Sequence, residues 1–306
     1  MTGRFAPSPT GPLHVGNIRT ALVAWLLARS SADHRFLIRV EDLDRANSSR
    51  AKEAQQLADL ARIGLDWDPP VVRQSERFDR YDAAIAGLTA AGSTYECFCS
   101  RREIREAVAA PHVDDVAYPG TCRELSASER AARRSTRPPA VRLRSTGEDV
   151  TIHDAIAGSF TGRADDVVLR RNDGVPAYNL AVVVDDAAQG VTDVVRGDDL
   201  LPSTPRQVVL QRLLGLPPVR YVHVPLVVGA DGHRLAKRDG AVTLDDLGAA
   251  GVPPERVVGA LGSSLGLGPG GRAVLAGDLL DGFDLGVVVA RGRRPVDLDD
   301  LQRSWS

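Results

Sequence analysis

Pro7-Ser8-Pro9-Thr10-Gly11-Pro12-Leu13-His14-Val15-Gly16-Asn17 is the stretch whose reading decides the fold. Pro7, Pro9, Gly11 and Pro12 forbid helix at the front of it, so a helix is expected to start near Gly16 and run through Ile18–Arg29. Ile18, Ala21, Leu22, Trp25 and Leu26 fall at spacings of three and four, which predicts one buried face. A helix N-terminus carries unpaired N–H groups and a partial positive charge, a natural seat for phosphate. Gly16 would let a flat base approach the backbone, because any Cβ there intrudes. His14 would then hydrogen-bond an α-phosphate oxygen as charge builds on it. The same residues also read as a plain Pro/Gly loop with one His, so a second segment has to decide.

That second segment is Arg234-Leu235-Ala236-Lys237-Arg238, which follows the Gly-rich bend Gly229-Ala230-Asp231-Gly232. Of the 38 Lys plus Arg residues only Lys52 and Lys237 are lysines, which leaves 36 Arg. A chain that otherwise uses Arg has kept Lys in this loop, where a compact charge on a flexible stem suits a polyphosphate. Lys52, inside a charged helical stretch, reads as an ordinary solvated residue.

The 306 residues suffice for two domains and a sizeable core, with 43% hydrophobic and 25% charged residues and a net charge of −2. No apolar run approaches the roughly 18 residues of a membrane span. Met1-Thr2-Gly3-Arg4-Phe5 lacks the apolar centre of a signal peptide, so a cytoplasmic, monomeric enzyme with no membrane partner is expected. The charge is uneven. Between Arg101 and Arg144 ten Arg stand against six acidic residues, either a footing for a phosphate backbone or a solvated face.

Strand and helix alternate along the chain, which predicts an α/β fold: a doubly wound, parallel, Rossmann-like sheet. Phe36–Val40 reads as a strand, Asn47 or Ser48 as the cap of a helix through Leu60, and Arg80–Ala90 as another helix. The inner face of the first of these is expected at Leu57, Leu60 and Ala61. Val167–Arg171, Val191–Arg196 and Tyr221–Val228 read as strands. Tyr178–Asp185 and Thr204–Leu214 read as helices, the latter with Pro205 in its first turn. The expected division is 1–95 and 166–228 for the two halves of the catalytic sheet, 96–165 for an insertion, and 229–306 for the Lys loop and a short extension. Ligands of such sheets sit at the carboxyl ends of the strands, where the halves meet.

Cys97, Cys99 and Cys122 are the only cysteines. In an extended segment i and i+2 share a face, and the turn Tyr118-Pro119-Gly120-Thr121 can bring Cys122 back toward them. Three thiolates need a fourth ligand for tetrahedral zinc, and His112 and Tyr118 are the candidates. On ligand chemistry alone the His is preferred. The site would be structural.

Five blocks in order carry a family resemblance over residues 4 to about 245: Arg4-Phe5-Ala6-Pro7-Ser8-Pro9-Thr10-Gly11, Arg39-Val40-Glu41-Asp42-Leu43-Asp44, Gly64-Leu65-Asp66-Trp67-Asp68, Tyr178-Asn179-Leu180-Ala181-Val182-Val183-Val184-Asp185-Asp186 and Val195-Arg196-Gly197-Asp198-Asp199-Leu200. With the His14 and Lys237 segments, they resemble the catalytic half of glutamyl-tRNA synthetases, class I enzymes with a split ATP site. About 60 residues follow the Lys loop, which is too few for the family's all-helical anticodon-reading domain. Cys-x-Cys followed by Tyr-x-x-x-Cys further resembles the truncated paralogues, the glutamyl-Q tRNA(Asp) synthetases. That resemblance implies Tyr118 rather than His112 as fourth zinc ligand, and queuosine in the anticodon of tRNA(Asp) as the acceptor.

The resemblance also implies site residues. Glutamate would be held by Arg4, Phe5, Ala6, Pro7, Ser8, Glu41, Tyr178 and Arg196. Arg196 would offer a fork to the side-chain carboxylate, and Glu41 would pair with the α-ammonium. ATP, with Mg²⁺, would be held by His14, Gly16, Asn17 and Lys237. Glu41 and Arg196 have a plainer alternative as members of internal ion pairs. Two motifs depart from the family pattern. His14-Val15-Gly16-Asn17 keeps only the His and Gly of its signature, and Leu235-Ala236-Lys237-Arg238 keeps one Lys. The expected reaction is ATP-dependent formation of glutamyl-adenylate and transfer to the modified nucleoside. Charging of a tRNA 3′ end and a non-catalytic RNA-binding relic are the alternatives.

Overall fold

The computed structural model describes residues 1–30, 34–100, 102–104, 118–229, 242–268, 272–291 and 295–305. His112 and the Arg234–Arg238 segment with Lys237 lie outside the described residues. The first half contains β1 (Thr2–Phe5), α1 (Val15–Arg29), β2 (Arg35–Val40), α2 (Arg50–Arg62), β3 (Val72–Arg73), α3 (Phe78–Ala90) and β4 (Thr94–Cys97). It continues through α4 (Ala127–Arg134), β5 (Ala140–Leu143), β6 (Asp149–Asp154), β7 (Gly158–Arg163), β8 (Val168–Arg170) and α5 (Tyr178–Ala188). The remainder is β9 (Asp193–Gly197), α6 (Thr204–Leu213), β10 (Arg220–Val224), β11 (Val227–Val228), α7 (Leu244–Ala249), α8 (Pro254–Ser264), α9 (Leu285–Ala290), β12 (Val296–Asp297) and α10 (Leu298–Trp305).

Seven strands form the main sheet in the order β3-β2-β1-β9-β10-β6-β7. Every neighbouring pair is parallel except the β6–β7 hairpin at one edge. The order reverses at β1, whose neighbours are β2 on one side and β9 on the other, which opens a crevice at their carboxyl ends. The fold is therefore α/β with a mostly parallel sheet.

Two placements differ from the sequence reading. Residues 149–163 fall within the stretch expected as an insertion, yet they pair with β10 and extend the main sheet. Val168–Arg170, expected in the parallel sheet, pairs instead with β5 in a separate antiparallel β4-β5-β8 sheet. Asp149–Asp154 alternates exposed and buried residues, the pattern of a strand with one solvated face, as suits an edge.

Helix α1 is capped by His14, with Asn17 completing a reciprocal pair of side-chain to backbone bonds. Its burial goes beyond one face. Val15, Ile18, Arg19 and all eight residues from Ala21 to Ala28 are buried. One side packs on the sheet, and Val257 and Leu261 of α8, with Leu298, Leu301 and Trp305 of α10, belong to the same apolar core. Arg19 ties the layers by donating to the Pro225 carbonyl at 2.7 Å and to Ser264 Oγ at 2.9 Å. At Gly259 of α8 the Arg272 carbonyl passes so close that an added Cβ would lie 1.8 Å from it.

The reading of α2 is corrected. Its cap is Ser49, and Ala61 faces solvent while Glu53, Gln56, Asp59 and Leu60 are buried. Leu60 joins the apolar core, while the three polar residues have partners of their own: Glu53 accepts from Arg73 Nε at 2.9 Å and Nη2 at 2.7 Å, and Asp59 from Arg62 at 3.2 Å. Gln56 Nε2 donates to the carbonyls of Ser8 at 3.0 Å and Gly11 at 2.6 Å, and so holds the Pro-rich segment that precedes α1. Gln56→Leu is expected to leave both carbonyls without that donor at a cost of about 1–3 kcal/mol. Thermal melting checks the loss, and a melting temperature equal to that of the parent chain would refute the holding role.

Candidate active site

The crevice at the end of β1 holds a cavity of about 570 Å³. Its wall includes Arg4, Phe5, Ala6, Pro7, Ser8, His14, Gly16, Asn17, Glu41, Tyr178 and Arg196. Every described residue expected to hold glutamate or ATP thus lines one cavity, although they come from four separate stretches of chain. Lys237 cannot be placed among them, but the described residues on either side of its segment return here. Val227 lines the cavity, and the Val15 N–H donates to the Val242 carbonyl at 3.0 Å.

At the helix start, His14 Nδ1 accepts the Asn17 N–H at 3.4 Å, which places the ring proton on Nε2. The Asn17 side-chain carbonyl accepts the His14 N–H at 3.3 Å. Glycine at position 16 has a nearer reason than a bound base: an added Cβ would come within 3.1 Å of the His14 ring. The glycine makes room for the capping imidazole.

Charge in the cavity wall is arranged around Asp186 of α5. Its Oδ1 accepts from Arg4 Nε at 3.1 Å and from Arg39 Nη1 at 2.6 Å. Arg39 reaches Glu41 as well, at 3.2 Å, and the Arg39 side chain is wholly buried. Two guanidinium groups and two carboxylates balance. Burial raises the Glu41 carboxyl above its ordinary range, against the opposing pull of Arg39 and Arg4. Asp186, by contrast, is held low: burial works to raise it, but the two arginines outweigh that.

Arg196 is different. It is buried, and its three described hydrogen bonds go to neutral groups: Nε to His223 Nε2 at 3.0 Å, Nη1 to Gln207 Oε1 at 2.8 Å and Nη2 to Thr204 Oγ1 at 2.9 Å. Of its five N–H donors, one on each terminal nitrogen is left by these bonds, and among the described residues no carboxylate pairs with it. A buried cation facing a cavity without an anionic partner is a seat for a carboxylate. The ion-pair alternative therefore fits Glu41, through Arg39, and does not fit Arg196.

The cysteines come together beside a second cavity of about 1000 Å³, whose wall includes Cys97, Cys99 and Tyr118. Ser8, Glu41 and Tyr178 line both cavities, so the cluster lies closer to the first site than its distance along the chain suggests. The three Sγ atoms lie within 4.8 Å of one another, with Cys99 and Cys122 3.5 Å apart. Tyr118 Oη is 3.4 Å from Cys97 Sγ and 3.7 Å from Cys99 Sγ, and it accepts the Cys122 N–H at 2.8 Å. Ligands at tetrahedral Zn–S distances stand roughly 3.8 Å apart, so one oxygen and three sulfurs are spaced to hold such an ion. Arg142 stacks its guanidinium 3.7 Å over the Tyr118 ring. Of the candidate fourth ligands, Tyr118 is thus in place, while His112 lies outside the described residues.

Sequence reasoning missed Gln56, Asp186, Thr204, Gln207 and the pair Asp154–His223. Each is a polar residue buried by tertiary packing, and a local pattern carries no sign of that.

Comparison with known proteins agrees with this geometry. The family described as tRNA synthetases class I (E and Q), catalytic domain, matches residues 1–275. The chain is 63% identical over 268 residues to the glutamyl-Q tRNA(Asp) synthetase of Nocardia farcinica, covering 87% of this chain and 85% of that one. It is 48% identical over 300 residues to the enzyme of the same name from Symbiobacterium thermophilum, covering 93% of each. Among solved structures, a glutamate tRNA ligase from Elizabethkingia meningosepticum in complex with its amino acid superposes with a TM-score of 0.81 at 26% identity, over 99% of this chain and 68% of that one. The methionyl-tRNA synthetase of Mycobacterium tuberculosis, at 13% identity and a TM-score of 0.54 over 85% of this chain and 63% of its own, shares the fold. The chain belongs to the class I tRNA synthetases of the E and Q type, ligases, and groups there with the glutamyl-Q tRNA(Asp) synthetases.

Proposed function

We propose that this chain activates L-glutamate with ATP and transfers it to queuosine in the anticodon of tRNA(Asp). The observation that carries the glutamate reading is the buried Arg196 guanidinium beside a charge-balanced set of Arg4, Arg39, Asp186 and Glu41. Glutamate brings one ammonium and two carboxylates. Its side-chain carboxylate suits the remaining N–H groups of Arg196, and its α-ammonium suits Glu41. The acceptor reading rests on the names of the relatives at 48–63% identity.

In the first step the α-carboxylate of glutamate attacks the α-phosphorus of ATP, forming the acyl-phosphate bond of glutamyl-adenylate as pyrophosphate leaves. His14 Nε2–H and the Gly16 N–H would meet the negative charge that grows on the α-phosphate, while the Val15 and Asn17 N–H groups are taken by the Val242 carbonyl and the His14 ring. Lys237 has the role of neutralising the departing pyrophosphate. Mg²⁺ bound with ATP would supply further charge neutralisation there. In the second step a nucleoside hydroxyl attacks the activated carbonyl, loses its proton and displaces AMP.

The cysteine cluster supports one structural zinc on Cys97, Cys99, Cys122 and Tyr118. The zinc-carrying part would be a separate unit from the adenylate site, on the small β4-β5-β8 sheet. Metal analysis of the purified chain should give about one zinc per molecule. Tyr118→Phe should speed zinc loss to a chelator. A chain that melts at the same temperature with and without chelator would refute the structural metal.

Glutamate-dependent ATP–pyrophosphate exchange tests the first step. His14→Ala or Lys237→Ala should lower the exchange rate by about 10²-fold with the fold intact. Arg196→Ala should raise the KM for glutamate by about 10²-fold, the worth of a charged hydrogen-bonded pair. A wild-type KM in that variant would refute the side-chain fork. Labelled glutamate should pass to tRNA(Asp) bearing queuosine. Labelling of the 3′ end of tRNA(Glu) instead would favour a shortened conventional synthetase, and no exchange under any condition would favour the relic.

A further inference from the structure

His223 of β10 and Asp154 at the end of β6 form a buried pair, each side chain wholly shielded from solvent. The His223 backbone N–H donates to Asp154 Oδ2 at 3.0 Å, and the ring Nδ1 lies 2.7 Å from the same oxygen. The other Asp154 oxygen accepts the N–H groups of Ile156 at 2.9 Å and Ala157 at 2.7 Å. On its far side the ring meets Arg196, whose Nε is 3.0 Å from His223 Nε2.

An arginine Nε–H can only donate, so His223 Nε2 must be the unprotonated nitrogen. The ring proton then sits on Nδ1, where Asp154 accepts it. The order Asp154, His223, Arg196 is a one-way chain of donors and acceptors, and reversing the tautomer would set N–H against N–H. Other groups around the ring agree with a neutral imidazole. Tyr221 stacks on it with ring centroids 6.0 Å apart, Thr204 Oγ1 lies 3.3 Å from Nε2, and Arg4 and Arg196 are the nearby cations. Burial pushes the imidazole below its ordinary range, with the cations adding to that push and the Asp154 bond opposing it. Burial works to raise Asp154, but the bonds from His223, Ala157 and Ile156 hold it low.

Neither Asp154 nor His223 lines the cavity that Arg196 faces. They touch no space a substrate can enter, so their part is played through the arginine. We infer that Asp154 and His223 are positioning residues for amino-acid recognition: the Asp-fixed imidazole takes the Arg196 Nε–H and thereby turns the terminal nitrogens of the guanidinium toward the substrate carboxylate. The inference rests on the reading that Arg196 holds the glutamate side chain. An arginine has four rotatable side-chain bonds, and a guanidinium held at one end by an oriented acceptor loses less freedom when its other end binds. Thr204 and Gln207, both on α6, restrain the remaining nitrogens from one helix. His223 alone restrains Nε, from the neighbouring strand.

The test is pyrophosphate exchange on full-length variants, with the KM for glutamate and the KM for ATP measured separately. His223→Leu removes the acceptor and should raise the glutamate KM about tenfold or more while the ATP KM stays within about twofold. His223→Gln keeps an oxygen acceptor near the place of Nε2 and should return the glutamate KM to within about threefold of the parent. If the Leu variant fails to fold, Asp154→Asn serves in its place. An amide N–H donating to Nδ1 would force the ring proton onto Nε2, against Arg196, and should give the same selective rise. A glutamate KM unchanged in a folded His223→Leu or Asp154→Asn variant overturns the inference. Equal rises in both KM values would also overturn it, since they mark a general structural loss. Arg196→Ala separates the two claims. If it raises the glutamate KM while the His223 and Asp154 variants do not, the positioning role falls and the glutamate reading stands; if it does not, the glutamate reading itself falls.

Discussion

Asp186 joins three elements that are far apart in the chain. It projects from α5, takes Arg4 from β1 and Arg39 from β2, and through Arg39 reaches Glu41. Each of these charges is buried or nearly so, and a buried charge without a partner costs several kcal/mol. The set therefore holds only if all its members are present, which pins α5 against the carboxyl ends of β1 and β2. That junction is the crevice. With Asp186 neutralised by the two arginines, Arg196 one strand away keeps its charge for something that enters from outside.

The order of elements was largely legible because it rests on local chemistry. A cluster of prolines and glycine such as Pro7, Pro9, Gly11 and Pro12 keeps a segment from being helical, so the start of α1 could be placed to within about a turn. Pro205 marks the first turn of α6, which the structure begins at Thr204. The sheet membership of β6 and β7 was less accessible. Their alternation is strand-like, yet nothing local says which edge a hairpin joins, and the choice is settled by Asp154 capping the turn after β6 and bonding to β10. Glu53, Gln56 and Asp59 misled the reading of α2 for a related reason. A pattern rule assigns apolar residues to the inside, but here Gln56 donates to two backbone carbonyls while Glu53 and Asp59 accept from Arg73 and Arg62.

The site itself was legible to the depth of groups that face the cavity and no further. Arg4, Glu41, Tyr178 and Arg196 could be singled out because a motif quotes them, and the cavity brings them together. Of the residues behind them, Arg39 and Asp186 stand in the quoted blocks without a role being assigned, and Asp154, Thr204, Gln207 and His223 stand in none. His223 sits in an apolar strand where one buried His is usually a packing residue, and only its two neighbours, Asp154 at Nδ1 and Arg196 at Nε2, give the imidazole a direction. Direction is a property of three-dimensional contact. Tyr118 was named as a candidate ligand from the sequence, but the closeness of its hydroxyl to Cys97 and Cys99 is likewise a matter of three-dimensional contact.

Helix α1 shows how distant packing bears on chemistry at one end of an element. Its N-terminus presents His14 and Gly16 to the cavity, and the aim of that end follows the helix axis. The axis is held from the sheet side by β1, where an added Cβ at Gly3 would lie 3.0 Å from Ala28 Cβ, an approach with little room to shift. From the other side α8 reaches it, and Arg19 bridges both layers through Pro225 and Ser264. Residues beyond 254 therefore bear on the cavity-facing end of α1 without lining the cavity. A helix buried nearly all round, with one polar end left open at a crevice, is a rigid mount for a few donors, and rigid donors give the most to a charge that appears only during reaction.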